Sequence, residues 1–215
     1  MKNLKSIILL LCLLFMLKPA EAQEEEYKTI FSSGTSVTGW FAEISTGISE
    51  INNKDAYIAG ISGGIVINHH LNLGVDFKSF SWHDEYMKFN DILEEPCYLT
   101  GGYGGLLIEP ILKPNKVIHL TFPIIIGGGG AEYLSITEYQ ETEHDGEIDF
   151  KYKSLSTSVF FAIEPGCNLE VNVTHFMKFS TGISYRNIIG MHLDNTDPEA
   201  FNNGSINVGL QFGKF

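Results

Sequence analysis

The sequence predicts an all-β chain that closes as an eight-stranded antiparallel up-and-down transmembrane β-barrel. Three observations lead there. The chain opens on an export-type segment, its remainder alternates apolar and polar residues eight times over, and the connections between those runs are alternately short and long.

The opening stretch, MKNLKSIILLLCLLFMLKPAEAQ, has Lys2 and Lys5 ahead of an apolar run from Ile7 to Leu17 and an A-x-A site at Ala20-Glu21-Ala22. This is the pattern of a cleaved secretory signal. At about eleven residues the run is short of the roughly 20 that a membrane helix needs. Cys12 lies inside the run with no small residue before it, which argues against lipidation there. The expected organisation is a signal peptide over 1–22, a short segment over 23–36 and a barrel domain over 37–215. Beyond the signal, eleven basic and 25 acidic residues remain, a net charge of about −14. So acidic a surface does not suit nucleic acid. Cys97 and Cys167 are too few for a disulfide scaffold, and both are expected as free, buried thiols.

Strands are expected near 37–48, 56–68, 71–82, 97–109, 117–132, 155–172, 176–187 and 205–214. Side chains alternate across a strand, so each run sorts into two faces. In the first, Trp40, Ala42, Ile44, Thr46 and Ile48 oppose Phe41, Glu43, Ser45 and Gly47. In the second, Tyr57, Ala59, Ile61, Ile65 and Ile67 oppose Gly60, Ser62 and Gly64. In the third, Leu71, Leu73, Val75 and Phe77 oppose Asn72, Gly74, Asp76 and Lys78. In the fourth, Leu99, Gly101, Tyr103 and Leu107 are placed on the apolar face against Thr100, Gly102 and Gly104. In the fifth, Leu120, Phe122, Ile124 and Ile126 oppose His119, Thr121 and Gly127. In the sixth, Phe161, Ile163, Leu169 and Val171 oppose Glu164, Asn168, Glu170 and Asn172. In the seventh, Met177, Phe179, Ile183 and Tyr185 oppose Lys178, Ser180, Ser184 and Arg186. In the last, Ile206, Val208, Leu210 and Phe212 oppose Ser205, Asn207 and Gln211. No segment carries a helical period.

Connections at 68–70, 110–116 and 173–175 are short. Those at 83–95, 133–153 and 189–203 are long and polar, and the segment near 50–55 is brief. Short turns at one end and long loops at the other fit an outer-membrane barrel. The loop over 133–153 is strongly acidic, with Glu138, Glu141, Glu143, Asp145, Glu147 and Asp149.

Alternation alone does not say which face meets lipid, because a lipocalin-like barrel has the same period with its apolar face inward around a ligand. The polar face here is mostly Gly, Ser, Asn and Thr with few charges, unlike a solvated wall. Its charges come close to balance: Glu43, Asp76, Glu164 and Glu170 against Lys78, Lys178 and Arg186. An interior ion-pair network is therefore expected, since unpaired burial costs several kcal/mol. Pairing the sixth and seventh runs so that Asn172 faces Lys178 also sets Glu164 against Arg186. Trp40, Tyr57, Tyr103, Tyr133 and Tyr185 are placed as interfacial aromatics.

The run Gly127–Gly130 lacks the Gly-Lys-Ser/Thr ending of a phosphate loop and is not followed by a helix. It reads as a barrel strand cleared of side chains, leaving room for inward groups such as Phe80, Trp82 or Arg186. Pro123 and Pro165 fall mid-strand, where bulges or a locally broken ladder are expected. His119 and Thr121, with Glu170 near, sketch a hydrolytic site; no serine stands at triad spacing and G-x-S-x-G is absent. His69-His70 reads as a solvated turn, and the acidic stretch 143–149 departs from the EF-hand pattern. No catalytic residue, cofactor or metal is expected.

The segments GGYGGLLIEP, HLTFPIIIGGGG, FFAIEPGCNLEVNVTHFMKF, ISYR and GLQFGKF resemble small outer-membrane β-barrel proteins of the Bacteroidetes type, broadly similar to the OmpA-barrel, OmpX and OmpW group. The resemblance implies a bacterial outer-membrane location, lipid around the wall, and recognition of the last strand by barrel-assembly machinery through Phe215. Phe212 and Phe215 are out of phase with the usual ending. It supplies no catalytic residues. The leading expectation is a monomeric, non-enzymatic surface protein whose acidic loops contact any partner. A small-ligand barrel and a lipid-acyl-processing enzyme are the two alternatives.

Overall fold

The computed structural model describes residues 36–51, 54–90, 93–141, 148–194 and 196–215; side chains over 82–97 and 136–153 are outside the description. The expected signal and most of the segment after it lie outside the described residues.

Ten strands follow in chain order: β1 Val37–Ile51, β2 Lys54–Ile67, β3 Leu71–Asn90, β4 Leu93–Leu112, β5 Ile118–Thr121, β6 Ile124–Glu141, β7 Ile148–Asn172, β8 Met177–Tyr185, β9 Asn187–Ile189 and β10 Gly204–Lys214. They make eight staves, because β5 continues into β6 and β8 into β9. Each stave pairs antiparallel with its neighbours in sequence. Pairing of β1 with β10, from Trp40↔Lys214 to Ser49↔Ser205, closes the ring. Closure leaves no free edge, as a backbone in lipid requires. The β7–β8 register sets Asn172 opposite Lys178, as the alternation predicts.

Both prolines break the ladder without a bulge. The register of β4 and β7 against this stave is the same on either side of Phe122-Pro123. Across the gap, Gly166 N–H donates to the Pro123 carbonyl at 2.7 Å. Pro165 pairs with Ile124 on one side; on the other it falls in the gap between β8 and β9, where no N–H is asked of it.

Gly105 on β4 sits opposite Gly127 on β6. A Cβ on Gly127 would stand 2.0 Å from the Gly104 carbonyl oxygen, and one on Gly105 2.2 Å from that of Ile126. Here glycine is a packing necessity. A Cβ on Gly101 would lie 2.6 Å from Phe80, so the room-making role is real for Phe80.

Side-chain phase differs from expectation in β4. Leu99, Tyr103 and Leu107 are buried in the lumen and Leu106 is exposed, so this strand is inverted. Tyr103 therefore leaves the expected aromatic belt, and Tyr133, buried on the inward phase of β6, leaves it too, whereas Trp40, Tyr57 and Tyr185 stand on the exterior. Cys167 is a free thiol, half-buried on the outward phase of β7 rather than buried in a core.

Two of the expected loops are largely strand. β3 and β4 stay paired out to Asn90↔Leu93, and β6 and β7 out to Glu141↔Ile148. A ribbon outside the membrane needs no buried face, so its sequence carries no apolar alternation to reveal it.

The connection at 190–203 does a different job. It leaves β9 through Gly190, at φ +84°, and carries a 3₁₀ turn over Pro198–Phe201, capped by Asp197 accepting from Glu199 N–H at 2.9 Å. Met191, Leu193 and Phe201 turn into the barrel mouth, where they pack with Phe80, Leu99, Tyr103, Tyr133 and Phe160. A smaller apolar cluster of Phe41, Val66, Leu107 and Ile125, with Phe215 against it, closes the short-turn end.

Candidate functional site

Between those two apolar plugs lies a polar band, built by the inward phase of every stave. Lys78 on β3 reaches across the lumen to Glu164 on β7, Nζ to Oε1 at 2.7 Å. Glu164 also accepts from Ser184 Oγ at 2.5 Å and from the Tyr103 hydroxyl. Nearer the short turns, Glu170 meets Lys178 Nζ at 3.2 Å and His119 Nε2 at 2.9 Å; His119 Nδ1 lies 3.2 Å from the Lys116 carbonyl. Lys178 also stands over the Phe215 ring, 3.9 Å from its centroid.

Three carboxylates have no Lys or Arg within ion-pair distance among the described residues. Glu43 accepts from Ser180 Oγ at 3.0 Å and Gln211 Nε2 at 3.3 Å. Glu109 accepts from Asn72 Nδ2 at 2.7 Å and Thr121 Oγ1 at 2.8 Å. Asp76 is buried with its Oδ1 unpartnered.

Of the seven residues expected in the lumen, Asp76, Glu164, Glu170, Lys178 and Arg186 are buried and Glu43 and Lys78 half-buried on the inward phase, but the pairing of Glu164 with Arg186 is not made. Arg186 bonds the Phe201 carbonyl through Nε at 3.0 Å and Ser49 Oγ through Nη2 at 3.4 Å, beneath the plug and 5.4 Å from the Phe80 ring centroid. Glu164 is held by Lys78 in its place. The register that sets 164 against 186 is kept, but β8 breaks at Arg186 and the side chain serves the loop. Glu109 is buried on the same phase as Leu107 and Tyr103, opposite to the one the sequence pattern of β4 predicts. Its carboxylate was the available signal: sharing a phase with Leu107 and Tyr103, it has no place on a lipid-facing wall.

Of the sketched hydrolytic site, the structure brings His119 and Glu170 together at 2.9 Å, with Thr121 directed elsewhere. His119 and Thr121 are buried, facing the lumen, and Thr121 is committed to Glu109. His69 and His70 sit in the exposed β2–β3 turn, with His70 Nδ1 2.7 Å from the Asn68 carbonyl. Among the described residues no three His, Cys, Asp or Glu side chains gather closely enough to hold a metal. Residues 143–147 of the acidic stretch lie outside the described residues, as do the side chains of 148 and 149.

A cavity of about 50 Å³ opens in the polar band, lined among others by Glu43, Asp76, Lys78, Glu109 and Glu164. That is room for a few water-sized particles at about 10–15 Å³ each; it is not a pore.

No protein-family model and no curated protein sequence matches the chain. Among solved structures it is similar to Neisserial surface protein A, at 15% identity over 85% of this chain and all of that one, with a TM-score of 0.48. It is also similar to Ail, the attachment invasion locus protein of Yersinia pestis, in complex with the heparin analogue sucrose octasulfate, at 13% identity over 81% of this chain and 97% of that one, TM-score 0.45. The outer membrane protease OmpT from Escherichia coli overlaps at 9% identity over 86% of this chain and all of that one, TM-score 0.37. At these overlaps none of the three assigns a role to this chain.

Proposed function

We propose that this chain is an outer-membrane β-barrel with a non-enzymatic, surface-exposed role, its lumen closed to general solutes. One observation carries the reading: the outward phase of the barrel is an uncharged apolar belt. Ile44 is 57% exposed, Ile183 63% and Val159 76%, whereas Glu164 is 2% exposed and Arg186 1%. Among the described residues, charges on that phase appear only at its rims, with Glu50, Asp55 and Glu132 toward the long-loop end and Lys214 at the other. From Trp40 to Ile48 the belt runs roughly 26 Å along the strand at about 3.3 Å per residue. At the tilt of about 35–45° found in outer-membrane barrels this covers roughly 20 Å of height, most of their apolar band of about 25 Å. Left in water, each such side chain forfeits about 1.5–3 kcal/mol of burial, which counts against a soluble ligand-binding barrel.

Acidic side chains at the long-loop end, including Asp194, Asp197 and Glu199 on the plug loop, are the surface that a partner would meet. The acyl-enzyme alternative is disfavoured because His119 faces a plugged lumen. The decisive experiment is membrane fractionation with detergent extraction, followed by electrophoresis with and without boiling. The chain is expected in the outer-membrane fraction with heat-modifiable mobility. Recovery in the soluble periplasmic fraction would overturn the reading. His119→Ala is expected to leave the envelope lipid profile unchanged.

A further inference from the structure

We propose that the lumen cavity is a built site for one monovalent cation, held by Glu43 and Asp76. The cavity is lined by these two carboxylates, by Glu109 and the Lys78–Glu164 pair, and by oxygen-bearing neighbours that suit an alkali ion: Ser45, Ser62, Asn168 and Asn207. Five carboxylates occupy the polar band between the apolar plugs, namely Glu43, Asp76, Glu109, Glu164 and Glu170, against three fixed cations, Lys78, Lys178 and Arg186. Lys78 is engaged by Glu164 at 2.7 Å and Lys178 by Glu170 at 3.2 Å. Arg186 is spent under the plug on Phe201 and Ser49. Glu109 has both oxygens occupied by neutral donors. That leaves negative charge at Glu43, Asp76 and Glu109, in a place where uncompensated charge is costly; Glu43, like Glu109, has both oxygens on neutral donors, and of the three only Asp76 keeps an oxygen with no partner.

Asp76 supplies the independent sign of a ligand. It is more than nine-tenths buried, it lines the cavity, and its Oδ1 has no hydrogen-bond partner. Native structures rarely leave such an atom unsatisfied without a water or ion to meet it. A monovalent cation supplies the missing partner and offsets one of the two excess negative charges. Its valence follows from the donor set. Calcium takes six to eight oxygens rich in carboxylate, whereas no three His, Cys, Asp or Glu gather here among the described residues. Two carboxylates with neutral oxygens suit sodium or potassium, and the cavity of about 50 Å³ admits one such ion with a water or two.

The alternative source of neutral charge is protons on the same carboxylates, and the experiment separates the two. The full barrel is refolded from urea into detergent in sodium, potassium or N-methylglucamine chloride, at one ionic strength and one pH. The temperature at which the heat-modifiable form is lost is then read on gels. Sodium or potassium is expected to raise it by about 3 °C or more over N-methylglucamine. Asp76→Asn and, independently, Glu43→Gln are expected to abolish the difference. Lys113→Ala, at an exposed turn outside the lumen, is expected to keep it. Equal melting of the unaltered barrel in all three salts overturns the site and leaves protons as the neutralising species. Cation dependence that survives in a folded Asp76→Asn or Glu43→Gln barrel overturns it as well.

Discussion

Lys78 and Glu164 stand on staves that share no ladder, yet Nζ and Oε1 lie 2.7 Å apart across the lumen. The bridge ties opposite walls of the barrel together, and its side chains are 10% and 1% exposed. Removing one partner of a buried pair leaves a lone charge and costs about 3–5 kcal/mol. Lys78→Met and Glu164→Gln are each expected to lose that much in urea equilibrium refolding. The double variant, with an amide oxygen to accept from one of Ser184 and Tyr103 and an NH2 to donate to the hydroxyl oxygen of the other, is expected within about 2 kcal/mol of the parent. Additive losses would show that the two charges act separately.

The exterior belt makes an opposite demand. Ile183 is 63% exposed on β8 and Ile44 57% exposed on β1. A basic side chain at the middle of a lipid-facing wall costs about 2–4 kcal/mol. Ile183→Arg and Ile44→Lys are expected to weaken folding into lipid vesicles by that amount, with Ile183→Leu near neutral. A soluble barrel would tolerate both charges, or gain solubility from them.

Much of the barrel is legible in the residues because lipid on one side and paired charges on the other force a strict period of two. Asn172 against Lys178 was enough to fix the β7–β8 register, and the phase holds on both sides of Pro123. Legibility fails where that contrast is weak. In LTGGYGGLLIEP, glycine stands on both faces of β4 and Leu106, Leu107 and Ile108 are consecutive, so only Glu109 marks the inner face. The plug is unreadable for a related reason. Met191, Leu193 and Phe201 have no common period, because an irregular loop meets the core one residue at a time. Arg186 was placed correctly inside but given the wrong partner, since its true acceptor is the carbonyl of Phe201, fifteen residues on, and nothing local encodes that.

The glycine run separates inward from outward positions within four residues. A methyl group on Gly127 would meet the Gly104 carbonyl oxygen at 2.0 Å, with no flexible side chain to give way. One on Gly130 meets only the Ser158 carbonyl oxygen, at 3.3 Å. Overpacking costs about 1–3 kcal/mol and sometimes more. Gly127→Ala is expected at or beyond the top of that range, visible as loss of the heat-modifiable form. Gly130→Ala is expected to cost about 1 kcal/mol or less. Equal tolerance of the two would mean that β4 and β6 do not approach as closely as Gly105 and Gly127 indicate.

Phe201 anchors the plug. It is fully buried, its ring centroid lies 5.9 Å from that of Phe80 in an edge-on contact, and its carbonyl accepts from Arg186. Met191 and Leu193 pack in the same cluster, and the other ties of the loop include single hydrogen bonds such as His192 N–H to Ser158 Oγ at 2.8 Å and Ile188 N–H to Asn202 Oδ1 at 2.6 Å. Truncating a buried phenylalanine costs about 3–5 kcal/mol. In a closed barrel, that loss falls first on the segment with the fewest ladder bonds. Phe201→Ala is therefore expected to release 190–203 while the staves stay paired. Limited proteolysis of the barrel in vesicles should then cut within that segment, with heat-modifiable mobility retained. Loss of that mobility together with the cut would instead make Phe201 part of the barrel's global stability, and the plug inseparable from its wall.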